Sequence, residues 1–449
     1  MAGAPEPSDI QGLVRRQYRY QFSRHILLQI QDPAAARHAL AVLLPRITTA
    51  AQDLSQSPEP LINIGVTWTG LVKLGALQGI SVEAARIAFD GDFSQKPGPS
   101  LGDWRGRFSA SDVDLAVQIH CRTEAMLAAT TAEIRQWAAG GFREHTVSDS
   151  GGGALSGQAF GGGLMHFGVL DGISEPDINW DDDPLQTDMI DLRHVLLGYS
   201  TTELQSYPNE EPLATLVRNG TYAVFQWIYQ DVAAFEQYLD AAAGLLAPHL
   251  SADQARHLLR AKMLGRWDDG TPLALSPDGP DPTKSQTAFG YLDDPQGAKC
   301  PLHAHVRLAN RRDQPLNALE AATFPKDGPH LLRRGLPYGP PLVGSTDDHV
   351  DRGLIGMFLC ANLRKQYFTV LKWMNRADFS PVFDPRRSHL QDMMMADRTF
   401  DRAEHAAVIP INGAAPQLPA LTQFIQVRGT LLLFMPALSG LTAMTGTPP

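Results

Sequence analysis

The sequence predicts an α+β fold in which one strand-and-helix unit occurs twice. Apolar residues alternate in short runs, as in half-buried strands, and recur at helical spacing in longer ones. In the first half the strand patterns cover residues 24–30, 61–68, 113–120 and 142–147, and the helical patterns cover 34–53 and 124–139. This order of strand, helix, strand, strand, helix, strand is typical of a ferredoxin-like unit.

The second half repeats strand and helix. Strand patterns cover 221–229 and 354–360, helical patterns cover 232–246 and 364–375, and a hairpin of 423–427 and 430–435 closes the chain around Arg428 and Gly429. A chain of 449 residues is also too long for one ordinary core. We therefore expect two domains, 1–210 and 211–449, with a boundary near 207–212, where Pro, Asn and Glu cluster.

Composition excludes several classes of partner. The formal net charge is -10, so no basic surface is expected for a nucleic acid. The longest apolar runs, such as 431–437, are too short to span a membrane. The first residues carry proline and acids and do not read as a secretory signal, so a cytoplasmic location is expected. Cys121, Cys300 and Cys360 form no CxxC pair, and we interpret them as small buried hydrophobes.

One acid stands between two glycines in the middle of the chain. The run His-Phe-Gly-Val-Leu-Asp-Gly-Ile-Ser-Glu-Pro, 166–176, follows a glycine-rich stretch. Glycine adopts dihedrals that other residues avoid, so Asp171 is expected on a tight turn between Gly168 and Gly172. A carboxylate on a turn can enter a cavity and move a proton. An ordinary solvated Asp-Gly turn is the alternative.

A second run, 300–312, carries two histidines and three arginines. If the run is extended, His303, His305 and Arg307 share one face. The two histidines would then bind a metal together, or one would ligate haem iron while the arginines meet acidic groups of the cofactor. A strand edge with solvated side chains is the alternative.

The third run is His-Leu-Leu-Arg-Arg-Gly-Leu-Pro-Tyr-Gly-Pro, 330–340. Pro337 disfavours helix at the residue before it, and Gly335 permits a turn. Arg333 is thereby placed to reach into a pocket, unless Arg333 and Arg334 are a surface pair. This run and the second lie in a long segment, 267–349, that is rich in Pro, Gly and Asp, and long loops of this kind are often functional.

Together the three runs resemble the dye-decolorizing peroxidase family, in particular its larger members. Gly168, Asp171 and Gly172 match that family's Gly-x-x-Asp-Gly signature, His305 stands in its proximal histidine segment, and Arg333 stands where its distal arginine does. The similarity extends to 63–71, 265–273, 352–358 and 428–430, and so covers nearly the whole chain.

The resemblance implies two ferredoxin-like domains of the dimeric α+β barrel type, with antiparallel sheets, peripheral helices and one haem b per chain. It implies a haem peroxidase that reduces hydrogen peroxide and oxidises bulky dyes or phenols through a ferryl intermediate. Asp171 and Arg333 would be catalytic, and His305 would ligate the iron. Arg312 and Arg307 would meet haem propionates, and Asp384 would hold the second ring nitrogen of His305. The oligomeric state is left open.

Two departures from the family pattern bear on the site. The family often has Asn-Pro-Arg after its histidine, whereas this chain has Asn-Arg-Arg at 310–312. It often has serine or asparagine two residues after the distal arginine, where this chain has Gly335. We expect different water organisation there and slower peroxide turnover.

Two other functions and an additional route for electrons stay open at this stage. One alternative is a haem-handling protein with weak peroxidase activity. The other is a non-haem metal hydrolase that uses His303, His305 and an acid. If donors cannot reach a buried haem, electrons would pass through a surface aromatic residue such as Trp227, Trp373 or Tyr338.

Overall fold

The structure is a computed structural model. It describes residues 4–56, 58–81, 84–85, 108–146, 155–181, 189–199, 212–246, 250–314, 328–375, 377, 391–398, 406–410 and 417–446.

Antiparallel pairing dominates the fold. The strands are β1 (Phe22–Ile30), β2 (Leu61–Val66), β3 (Leu115–Cys121), β4 (Phe142–His145), β5 (Leu155–Gln158), β6 (Ile178–Asn179), β7 (Ile190–Asp191), β8 (Thr221–Gln230), β9 (Leu332–Arg333), β10 (Leu336–Tyr338), β11 (Gly353–Cys360), β12 (Ala406–Val408), β13 (Gln417–Ala420) and β14 (Ile425–Met435). Within the described ranges ten of them form one sheet, and β6–β7 and β12–β13 form two small pairs.

The large sheet consists of two halves with the same strand order. Its main path is β10-β11-β8-β14-β2-β3-β1-β4, while β5 adds to β1 and β9 adds to β11. Across each half of the sheet, the four strands of the main path lie in the order second, third, first and fourth, numbered along the chain. This is the strand order of a ferredoxin-like unit. The halves join where β14 pairs with β2 at Phe434 and Val66. The predicted α+β class is confirmed, whereas the boundary at residue 210 falls outside the described residues and stays a prediction.

Helices follow the strands along the chain and lie on the sheet. They are α1 (Gly12–Arg15), α2 (Pro33–Leu43), α3 (Trp68–Lys73), α4 (Glu124–Ala138), α5 (Leu213–Val217), α6 (Val232–Leu246), α7 (Ala252–Leu264), α8 (His305–Ala309), α9 (Phe368–Asn375) and α10 (Leu438–Thr445). A π-helical turn, Leu363–Tyr367, leads into α9. Single 3-10 turns cover Leu44–Arg46, Leu54–Gln56, Ala110–Asp112, Gly161–Gly163 and Leu192–His194.

Local capping explains where several helices begin and end. The Asp32 side chain accepts hydrogen bonds from the backbone N–H groups of Ala34 and Ala35, which starts α2. Ser251 and Gln254 form a reciprocal capping box at the start of α7. Gly265 ends that helix with φ of 97°, a left-handed conformation that favours glycine.

Apolar residues pack on both faces of the sheet. In β8, Val224 belongs to a core cluster with residues of α2 and α4, and the next residue, Phe225, packs on the opposite face with Leu13 and the N-terminal segment. Further along β8, Ile228 packs with α6 and α7 in a third cluster. Cys121, Cys300 and Cys360 are free, fully buried thiols, as interpreted from the sequence.

Two predictions of local structure are wrong. The closing segment is not a hairpin, because β14 is one strand whose register shifts between Val427 and Gly429. A bulge absorbs the Arg-Gly pair that suggested a turn. The run at 303–307 is not extended, because α8 begins at His305, so His303 and Arg307 do not share a strand face with it.

No helix within the described part of the chain is both long and apolar enough to cross a membrane.

Candidate active site

A cavity of about 1660 Å³ opens on the helix-covered face of the second half of the sheet. Its walls include alternate residues of β8, namely Gln226, Ile228 and Gln230, together with residues of β11 and β14. Because side chains alternate across a strand, these residues point to the face on which the helices pack. The cavity exceeds the roughly 300–1,000 Å³ usual for small-ligand pockets.

The turn that carries Asp171 forms one wall of this cavity. Gly168 and Gly172 have φ of 75° and 73°, which lie in the left-handed region. The N–H of Asp171 donates to the carbonyl of Gly163, and the N–H of Leu170 donates to the carbonyl of Asp268. Backbone bonds on both sides thus fix the turn, as the glycine spacing predicted, and the Asp171 side chain faces the cavity.

Asp171 forms an ion pair with Arg333. The Arg333 Nη1 lies 2.9 Å from Asp171 Oδ1, and the N–H of Gly172 donates to the same oxygen at 2.7 Å. Burial raises the pKa of the Asp171 carboxyl, but the Arg333 guanidinium, the Gly172 N–H and the charge of His305 together lower it below the usual value. The carboxylate is therefore held in its charged form.

Strand pairing sends Arg333 and Arg334 to opposite sides. Arg333, in β9, has a side chain 46% exposed to the cavity. The Arg334 side chain is fully buried and donates to the carbonyls of Leu13 and Val14 and to Glu175 Oε1. Anchoring of Arg334 fixes the backbone that presents Arg333, so the pair is not a surface pair.

The packing of this fold explains sterically why residue 335 is a glycine. A Cβ at this position would lie 2.6 Å from the carbonyl oxygen of Ile355, in the paired strand β11. That distance is far below van der Waals contact, so a side chain does not fit without a shift of backbone. The departure from the family pattern is therefore tied to the packing of β9 and β10 on β11.

His305 lies at the start of α8 and lines the same cavity. Its Nδ1 lies 2.9 Å from Asp392 Oδ2, and the Asp392 side chain is fully buried. Burial lowers the pKa of the His305 imidazole, but the charge and hydrogen bond of Asp392 raise it to a net value above the usual one. With Nδ1 bonded, Nε2 is the nitrogen that remains to ligate a metal.

Asp392 was not among the site residues predicted from the sequence. Burial raises the pKa of this carboxyl, but His305 and the backbone N–H groups of Met394 and Met395 lower it below the usual value. The signal in the sequence is an acid directly before a run of methionines. Asp384, the predicted partner of His305, lies outside the described residues.

His303 does not reach the cavity wall. Its side chain is 3% exposed, and its carbonyl accepts a hydrogen bond from the N–H of Met393. Among the residues that the structure describes, no three His, Cys, Asp or Glu side chains gather as a metal site. The structure thus separates the two histidines and presents only His305 to the cavity.

The structure contradicts the predicted role of Arg307. Its guanidinium is fully buried, donates to Gln314, to Asp294 and to the carbonyl of Cys300, and lies 4.5 Å from the centre of the Tyr291 ring. It lies apart from the cavity wall. The cause is α8, which turns Arg307 away from the side on which His305 lies.

Arg312 does line the cavity. Its backbone has φ of 53°, an uncommon value for a residue with a side chain. The guanidinium donates to the carbonyls of Thr287 and Phe289 and stacks 3.7 Å from the centre of the Phe289 ring. This arrangement fixes the side chain at the rim without the proline that the family often has before it.

Two further histidines of the wall, His194 and His330, were not singled out from the sequence. Their ring centroids are 5.7 Å apart in an edge-to-face arrangement. Burial, followed by the neighbouring His194, lowers the pKa of His330 to about 3. The His330 ring therefore contributes polar but uncharged surface near Arg312.

No protein-family model matches the chain. A dye-decolorizing peroxidase of Mycena epipterygia is 29% identical over 381 residues, which make up 78% of this chain and 68% of the relative. The dye-decolorizing peroxidase msp1 of Mycetinis scorodonius is 26% identical over 97% of this chain and 86% of the relative. The chain is a homologue of the dye-decolorizing peroxidases.

Solved structures agree with this homology at the level of the fold. A crystal structure of a dye-decolorizing peroxidase has a TM-score of 0.80 and 22% identity and covers 99% of both chains. A fungal one from Auricularia auricula-judae has a TM-score of 0.78 and 24% identity over 99% of this chain and 100% of that chain. A complex of a dye-decolorizing peroxidase with 2,6-dimethoxyphenol has a TM-score of 0.77, with 24% identity over 99% of this chain and 100% of that chain.

Proposed function

We propose that this protein is a haem-dependent peroxidase that reduces hydrogen peroxide and oxidises an organic donor. The observation that carries the proposal is one cavity with two kinds of wall. One wall presents the Asp171–Arg333 ion pair, and another presents His305 with Nδ1 held by a buried carboxylate. An acid–base pair and a neutral-nitrogen ligand at one cavity are what peroxide chemistry at a haem requires.

The residues fit haem b, one per chain. His305 would hold the iron through Nε2, since Asp392 occupies Nδ1. Arg312 at the rim would pair with a propionate, because a guanidinium matches a carboxylate. Apolar residues of the wall, among them Leu354, Met394 and Ile425, would contact the macrocycle.

Bound haem would supply the iron at which peroxide oxygen binds and the electrons that break the O–O bond. Asp171 would accept the proton of the near oxygen and return it to the far oxygen, so that water leaves. Its lowered pKa keeps the base form available in acid solution. Arg333, paired with Asp171, would stabilise the negative charge that develops on the far oxygen.

The donors are proposed to be phenols and bulky dyes. A related peroxidase has been solved with 2,6-dimethoxyphenol, and the names of the relatives refer to dye decolorization. Of the three aromatic candidates for an electron route, Trp227 and Trp373 are 3% and 7% exposed. Tyr338 is partly exposed and donates a hydrogen bond to Asp351 Oδ1, so we favour Tyr338 for donors that stay outside.

Steady-state turnover with peroxide and an anthraquinone dye tests the proposal. D171N and R333L should each slow the reaction with peroxide by about 10²–10⁴-fold. Matched controls are D53N, an exposed acid, and R46L, which removes an arginine paired with Glu133 at the surface. The controls should keep the wild-type rate.

The alternatives give different results in the same assay. A haem-handling protein would show haem absorption but negligible turnover, and its residual rate would not respond to D171N or R333L. A non-haem hydrolase would lack the intense haem band altogether. Equal rates for wild type, D171N and R333L would contradict the proposal. A cytoplasmic location stays a prediction.

A further inference from the structure

Methionine is unusually frequent on the wall of the cavity. Six of the twelve methionines line it within the described residues: Met165, Met189, Met357, Met374, Met394 and Met395. A thioether fills irregular apolar space well, but it is also among the side chains that oxidants modify first. A peroxide-handling cavity is therefore a chemically exposed place for it.

Three of these residues form backbone hydrogen bonds with Asp392, the residue whose buried carboxylate holds His305. The N–H groups of Met394 and Met395 donate to Asp392 Oδ1 at 2.7 and 2.8 Å, and the N–H of Asp392 donates to the carbonyl of Met374 at 2.8 Å. The same three residues line the cavity. We call Met374, Met394 and Met395 the thioether cluster.

We propose that the thioether cluster is a peroxide-dependent modification site, at which methionine sulfoxide forms when no organic donor is available. The proposal rests on the peroxidase function proposed above. A thioether sulfur gives up two electrons, takes an oxygen atom from water and releases two protons. Peroxide takes up two electrons and two protons and leaves as two waters. The net reaction joins one thioether and one peroxide to give one sulfoxide and one water.

Position decides which methionines react. Electron transfer falls steeply with distance. Met394 and Met395 lie one backbone hydrogen bond from the carboxylate that contacts His305, and Met374 accepts a hydrogen bond from the N–H of the same aspartate. Direct attack by peroxide from bulk solvent would instead favour the most exposed methionines. It favours an exposed side chain such as Met126, which is 38% exposed, over Met394, which is 2% exposed.

Sulfoxide formation would change the support of His305. A sulfoxide is polar, whereas Met394 packs in an apolar cluster with residues of α6 and α7. Its desolvation would loosen the segment whose N–H groups hold Asp392 in place. Modification would therefore weaken the hold on haem as oxidative damage accumulates, and an organic donor would protect against this.

Peptide mass spectrometry of the haem-loaded protein, treated with hydrogen peroxide without a donor, tests the proposal. Trypsin yields 373–376, with Met374, and 388–398, with Met393 to Met395, while Met126 lies in 123–135. Fragment ions distinguish Met394 and Met395 from Met393. The thioether cluster should gain oxygen at least about tenfold faster than Met126. Removal of haem should abolish that preference, and added 2,6-dimethoxyphenol should suppress it.

Variants separate the two proposals. M374L, M394L and M395L combined should remove the haem-dependent oxidation, because leucine keeps the volume and the backbone N–H groups. M126L is the matched control and should leave it unchanged. If dye turnover occurs but Met126 reacts first, or the cluster reacts equally without haem, the modification site is refuted while the peroxidase stands. Absent haem binding and absent turnover would refute the peroxidase itself.

Discussion

The charge state of Asp171 depends on Arg333. Burial is the largest single effect and raises the carboxyl pKa, but the Arg333 guanidinium at 2.9 Å, the Gly172 N–H and the charge of His305 together lower it further than burial raises it. An acid held in this way accepts a proton from peroxide even in acid solution. A histidine at this place would be protonated below about pH 6.5.

The pH profile of the reaction with peroxide should show this directly. The rate should persist as pH falls through 6.5 and should decline only near or below the ordinary pKa of aspartate, about 3.9. R333L should move that decline to higher pH as well as lower the rate, since only the Gly172 N–H and the charge of His305 then oppose the effect of burial. D171H should move it toward about 6.5. A wild-type rate that disappears through pH 6.5 would contradict the assignment of Asp171 as base.

Arg307 and Arg312 should differ in what they support. Arg307 is a buried ion pair with Asp294, so R307M should lower the free energy of unfolding by about 3–5 kcal/mol even without haem. R312M should cost clearly less in urea denaturation but should speed the loss of haem. If R307M is as stable as the wild type and loses haem, Arg307 supports haem binding and not the fold.

At the scale of elements, α8 and the segment 391–398 form the proximal side together. Asp392 accepts from two successive N–H groups and from His305, so its position is fixed before any haem binds. D392N should keep the shape but remove the charge that orients the imidazole. We expect haem affinity to fall by about 10–100-fold. Haem transfer to apomyoglobin measures this, with D253N as the control.

Elements with long periodic sequence patterns were predicted more accurately than elements with short ones. Helix α6 was predicted at its observed bounds, 232–246, because fifteen residues carry one helical period. The run at 303–307 was misread because alternation over five residues fits a strand or one turn of helix equally well. The bulge at Arg428 was predicted as a turn because the Arg-Gly pair alone does not show whether the strand ends there or continues with a shifted register.

The site residues also divide into those that a local sequence pattern predicts and those that it does not. Asp171, His305 and Arg333 lie in recognisable runs, and the structure brings all three to one cavity. Asp392 is 87 residues from its partner His305 in sequence, and no local pattern links the two. Contacts between distant segments depend on the tertiary packing, which residue periodicity does not contain.

At the scale of the whole molecule, acid should limit stability before it limits chemistry. His25 and His120 are buried, and their ring centroids are 6.1 Å apart between β1 and β3. Burial, with His120 as a further cause, holds the pKa of His25 well below the usual value, and burial lowers that of His120 to about 4. Because the unfolded chain takes up these protons first, folded stability is full above pH 6.5 and declines as pH falls toward 4.

The effect of His120 alone is about 3 kcal/mol between those two pH values. H120Q should therefore show a flatter dependence of unfolding free energy on pH, whatever its stability at neutral pH. H38Q, at an exposed histidine on α2, should keep the wild-type slope. Equal slopes for H120Q and wild type would show that the buried histidine does not set the acid limit.

The absorption spectrum of the protein titrated with haem tests the central claim most directly. Wild type should take up one haem per chain with an intense Soret band, and peroxide should shift that band within a single mixing experiment. H305A should lose haem or show a strongly displaced band, while H303A should bind haem with the wild-type spectrum. No Soret band in the wild type, or an unaltered spectrum in H305A, would contradict the account.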